Sequence, residues 1–170
     1  MSDEVDYDQP DHCTVGVIGE VGSRLFLFYC RQGLAETTVK VEKQQVAVLA
    51  GYLGRIVKEL DRPGHLPDDL SFDGAEDPEW VVGTIGVSYD EEIDRVVVVL
   101  EEIAIEDDEE EDESGHVLRV ALSREQAAAF AIRATTLVES GRPPCPLCGS
   151  PLDPSGHECP RTNGHRPPSV

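Results

Sequence analysis

The residues best equipped for chemistry crowd the end of the chain: CPLCG at 145–149, GHECP at 156–160 and then Gly164-His165. A Cys-x-x-Cys-Gly turn lets two thiolates point at one ion while backbone amides hydrogen-bond to the sulfurs. The glycine supplies the left-handed backbone that closes such a knuckle. Pro146 stiffens the turn and lowers the entropy lost in ordering it. Two further ligands must come from His157, Cys159 and His165. Pro160 follows Cys159 as Pro146 follows Cys145, which favours the set Cys145, Cys148, His157 and Cys159. The alternative set places His165 where His157 stands. Either is a Cys₃His site, tetrahedral, closed and therefore structural, and its mixture of thiolate and imidazole suits one zinc ion per chain. Catalysis by that zinc would need an open coordination position and a base beside it. Glu158 is adjacent in sequence only. A redox Cys-x-x-Cys would open a helix in a thioredoxin-like unit, and Pro143-Pro144 before a proline-rich tail does not fit that pattern.

The rest of the chain offers no second constellation. There is no phosphate-binding P-loop and no nucleophile elbow, and Gly16, Gly19 and Gly22 are not followed by a helix. His12, His65 and His116 have no assignable nucleophile. With 34 Asp and Glu in 170 residues, no pair of carboxylates is informative. Cys13 and Cys30 lie among strand-like residues and read as buried small hydrophobes. An odd number of cysteines behind an acidic amino terminus without an apolar core argues against a secreted disulfide framework.

Charge and hydropathy narrow the class. Lys and Arg number 14, so the net charge is −20, which disfavours binding of nucleic acid or anionic lipid by the whole chain. The tail alone carries a small excess of arginine (Arg142, Arg161 and Arg166 against Asp153 and Glu158). No apolar run reaches the length of a membrane span. A soluble cytoplasmic protein is the expectation.

The elements that must carry the tail follow from hydrophobic spacing. Residues 1–11 are polar, contain five acids and read as a disordered leader. Segments 14–18, 24–30 and 36–41 read as strands joined by tight turns, hence antiparallel. Across 42–60, Val46, Leu49, Leu53, Ile56, Val57 and Leu60 recur at helical spacing, and Pro63-Gly64 ends the pattern. Segment 62–79 reads as a long loop, functional or mobile. Trp80 opens the next strand as a core anchor. The second half then echoes the first: VGTIG at 82–86 repeats VGVIG at 15–19, RVVVVL at 95–100 repeats RLFLFY at 24–29, and LSREQA at 122–127 repeats VEKQQV at 41–46. A third strand at 116–122 and a helix with Ala127, Phe130, Ala134, Leu137 and Val138 on its apolar stripe complete it. The expected fold is α+β: two strand–strand–strand–helix repeats, 14–61 and 80–141, form antiparallel sheet covered by two helices. They make a domain over 12–141, with the zinc tail at 142–170. EDDEEEDE at 106–113 repels itself and reads as a solvated insertion in the loop 106–115.

With the VGxxG opening and the LSREQA helix start, the pattern CPLCGxPLDPxGHxCPRxNG resembles an uncharacterised actinobacterial family of conserved hypothetical proteins, over about 14–164. The resemblance implies no activity. It favours His157 over His165, because GHxCP is its family-like part. The expected function is a non-catalytic, zinc-stabilised module that docks onto another protein, one with a basic surface. Nucleic-acid contact through the tail and an unrecognised hydrolase using 62–79 are the alternatives.

Overall fold

The computed structural model describes residues 3–20, 22–104, 115–141, 145–150 and 159–162. Its strands are β1 (Glu4–Tyr7), β2 (His12–Ile18), β3 (Leu25–Gln32), β4 (Ala35–Val41), β5 (Val82–Asp90), β6 (Arg95–Glu102) and β7 (Val117–Leu122). The helices are α1 (Lys43–Glu59) and α2 (Arg124–Glu139), and a 3-10 turn spans Pro160–Thr162. The fold is α+β with two helices and antiparallel sheets, as the sequence indicates. No helix among the described residues is long and apolar enough to cross a membrane.

The two halves form separate sheets. One is β2-β3-β4, antiparallel throughout; the other is β1-β7-β6-β5. They meet where Lys40 of β4 pairs in parallel with Val81, the Lys40 amide donating to the Trp80 carbonyl at 2.9 Å. The helix starts explain the sequence echo. The Glu42 amide donates to Gln45 Oε1 at 2.8 Å, and the Ser123 amide donates to Gln126 Oε1 at 3.0 Å. In the second case the Gln126 amide also donates back to Ser123 Oγ, at 3.1 Å, a reciprocal cap. The helices pack on each other and reach across the halves, α2 against β2 and α1 beside β5. Phe28, Leu53, Leu100, Leu118 and Phe130 are fully buried in the shared core. Each contributes about 1.5–3 kcal/mol by leaving water. Cys13 and Cys30 are buried cross-strand neighbours in β2 and β3.

Residues 1–11, expected as a disordered leader, instead supply β1, which pairs in parallel with β7. Tyr7 carries that strand into the core, where its hydroxyl meets Thr37 Oγ1 at 2.9 Å, and Arg119 Nη1 lies 2.9 Å from Asp6 Oδ1. Composition was misleading because the acids of this segment are exposed and a single buried side chain, Tyr7, docks the strand. His12, placed before the first strand on the same reading, begins β2.

Segment 62–79 lies over the outer face of β2-β3-β4. Thr14 Oγ1 donates to the Leu70 carbonyl at 2.7 Å, and the ring of Phe72 meets that of Tyr29 edge-on at 5.7 Å. Gly16 is what admits it: a Cβ there would fall 2.4 Å from the Phe72 ring. This cover explains why Leu27 and Tyr29 are as buried as the core-facing Phe28. Trp80 is buried just ahead of β5 and stacks on His116, with ring centres 6.1 Å apart.

Candidate metal centre

The body ends with α2 at Glu139, and the tail is organised by turns. In the first, the Gly149 amide donates to the Cys145 carbonyl at 2.9 Å and the Cys145 amide to the Ser150 carbonyl at 2.8 Å. Gly149 has φ +75, the left-handed backbone the CPLCG pattern calls for. In the second, Cys159 leads directly into the 3-10 turn at Pro160–Thr162. Cys-Pro therefore begins a tight turn at both places, as the repeated proline implies.

The two turns bring three sulfurs together. The Sγ atoms of Cys145, Cys148 and Cys159 all lie within 4.8 Å of one another. Cys145 and Cys159 are 3.9 Å apart at sulfur and buried, while Cys148 is half-buried. None of the three forms a disulfide. A tetrahedral ion with bonds of about 2.3 Å to sulfur spaces its ligands about 3.8 Å apart, so Cys145 and Cys159 already have the separation of two ligands on one ion.

Backbone amides support the same chemistry. Ser150 donates to the Cys148 sulfur through its side chain and its amide, which holds that thiol down to about 7. The Arg161 amide donates to the Cys159 sulfur, although burial, the larger effect, pushes that thiol up. Each donor lies two residues beyond its cysteine. That arrangement stabilises a thiolate, the form that binds metal. From sequence, Ser150 has no role and Arg161 only one of charge; the signal for both as donors to sulfur is the position two beyond a knuckle cysteine.

Three of the expected ligands are thus brought together and could hold a metal ion. His157 and the alternative His165 lie outside the described residues, as does the acidic run 106–113. Of the other histidines, His12 Nε2 lies 2.7 Å from the Ser71 carbonyl oxygen, and His116 Nδ1 lies 2.7 Å from Glu102 Oε2. His65 pairs with Asp68 at 3.2 Å on the surface. Each of the three is engaged by a backbone or carboxylate oxygen of the fold.

No curated protein and no solved structure matches the chain. A family model does, over residues 5–159, from the first strand to the third cysteine of the cluster. On that match the chain belongs to the family described as protein of unknown function (DUF3090).

Proposed function

We propose that the tail binds one zinc ion through Cys145, Cys148, Cys159 and His157, and that the protein is a non-catalytic interaction module stabilised by that metal. The convergence of three thiols, two with amide donors on sulfur, carries the reading. Zinc fits a set of three thiolates and one imidazole better than the harder divalent ions do. A fourth protein ligand closes the tetrahedron and leaves no position for a substrate. His157 is preferred to His165 because the family match includes position 157 and ends at 159. With the sulfurs supplied by such short turns, the metal replaces the hydrophobic core that a segment this small lacks.

The ligand set is tested by comparing His157→Ala with His165→Ala in competition with a zinc chelator. The expected result is that His157→Ala surrenders zinc at chelator concentrations at least ten-fold lower than wild type, while His165→Ala behaves as wild type. Loss confined to His165→Ala would overturn the assignment.

A further inference from the structure

A groove of about 710 Å³ runs between α1 and β5, far in sequence from the cysteines. Val48, Leu49 and Tyr52 of α1 form one wall, and Ile85 and Val87 of β5 form the other. Val48 and Tyr52 are 51 % and 50 % exposed, unusual for apolar side chains facing each other's groove. Beside it, β5 is the outer strand of its sheet, paired only with β6 from Thr84 to Asp90 among the described residues. Alternate residues of such a strand turn their N–H and C=O groups outward. At the near end Gln45 Nε2 donates to the carbonyls of Val82 and Gly83 at 3.3 and 3.2 Å, which fixes helix and strand at that spacing. Gly86, in mid-strand, has open space where a Cβ would be.

An apolar trough beside an unpaired strand is the arrangement that accepts an added strand: the backbone of the incoming chain pairs with the edge, and every second side chain drops into the trough. Charge selects the occupant. β5 runs into Asp90, Glu91 and Glu92, and Glu42 lines the opposite end. Lys40 offsets Glu42 at 3.6 Å, and Arg55 lies over the Tyr52 ring. Beyond Tyr89, Arg124 engages Asp94 at 2.8 Å and Arg95 faces Asp90 in register, which leaves exposed Glu91 and Glu92 to make that end the acidic one. A second copy pairing antiparallel along β5 would set that end of each chain against the Glu42 end of the other and join two chains of net charge −20.

We infer that this groove binds an extended segment of a basic partner protein, which adds a strand to β5, places alternate apolar side chains between α1 and β5, and sets Lys or Arg against Glu91 and Glu92. The inference rests on the reading of the protein as an interaction module and is independent of the zinc.

Selection of a random twelve-residue peptide library displayed on phage, against the metal-loaded full chain, tests it. The expected peptides alternate apolar residues and carry Lys or Arg at one end. They protect the amides of Thr84–Asp90 from hydrogen exchange, and bind at least ten-fold more weakly to Val48→Asp and to Tyr52→Ala, both half-exposed positions that leave the core intact. Cys159→Ser protein is expected to bind them unchanged, so a failed zinc assignment leaves this result standing. The inference is overturned if no peptide is selected, if the peptides lack basic residues, or if neither groove variant weakens them. It is also overturned if binding disappears in Cys159→Ser, or if the wild type forms a dimer that Val48→Asp abolishes.

Discussion

The β/α body and the cysteine tail achieve order by different means. In the body, both sheets and both helices share one apolar core, and the loop over β2-β3-β4 adds cover on the outer face. In the tail, the only buried cluster among the described residues is the three cysteines themselves. Hydrophobic burial scales with area and tolerates an acidic surface; a handful of residues cannot supply it. A few thiolates around an ion can supply comparable order at that size. The contrast predicts that the two regions respond separately: damage to one should leave the other's signature in place.

Phe130→Ala is the strongest test of that separation. Phe130 lies against Phe28 with ring centres 5.5 Å apart and is buried. Its truncation is expected to cost the body about 3–5 kcal/mol, read as a lower denaturant midpoint. Metal content of the folded fraction should not change. Ser123→Ala removes the side-chain half of the reciprocal cap on α2 and is expected to cost about 1 kcal/mol, again with metal retained. If either substitution expelled the metal from folded protein, the regions would be coupled.

The reverse experiment removes the ion. Cys159→Ser should lose metal completely, while the melting temperature of the body falls by less than about 2 °C, equivalent to under about 1 kcal/mol. Far-ultraviolet circular dichroism of the body should be unchanged. Unfolding of the whole chain would show that the tail is integral to the core. Deleting 106–113 should move stability by no more than about 0.5 kcal/mol, upward if at all, because a shorter loop costs less to close and eight adjacent carboxylates no longer repel. Melting curves at two salt concentrations would reveal any larger loss.

The smallest expected effect tunes the edge where β1 joins β7. Glu102 holds the His116 imidazole above its ordinary range, chiefly by hydrogen bonding, and His116 holds Glu102 below its own. His116 contributes stability that is fully present below its unfolded pKa of about 6.5 and lost as pH rises through the raised folded value. Glu102 contributes stability present above its unfolded value and lost as pH falls through the lowered one. The pair therefore supports this edge best in mildly acidic solution. Proton NMR titration of His116 should show its pKa fall towards the ordinary value in Glu102→Gln, with no change in metal content.

Periodicity made most of the body legible. The stripes of α1 and α2, the runs now seen as β2 to β7, and the matched helix starts at Val41 and Leu122 all speak locally. β1 was not legible, because its strand character depends on an edge of β7 more than a hundred residues away; nothing in Glu4–Tyr7 encodes that partner. The outer cover of β3 was also hidden. Phe72 and Gly16 signal contact only once they are seen to meet. At the candidate site the cysteines were legible because ligand spacing is a local property, whereas the sulfur-directed amides of Ser150 and Arg161 emerge from turn geometry. The groove beside β5 escaped notice because exposed Val48 and Tyr52 interrupt no pattern.

Elemental analysis of reduced, untagged protein, combined with native mass spectrometry, tests the central claim most directly. One zinc per chain is the predicted result, lost on mutation of Cys145, Cys148 or Cys159 while the body remains folded. Less than about half an equivalent of zinc in folded wild-type protein, or full zinc after any of those three substitutions, would contradict it.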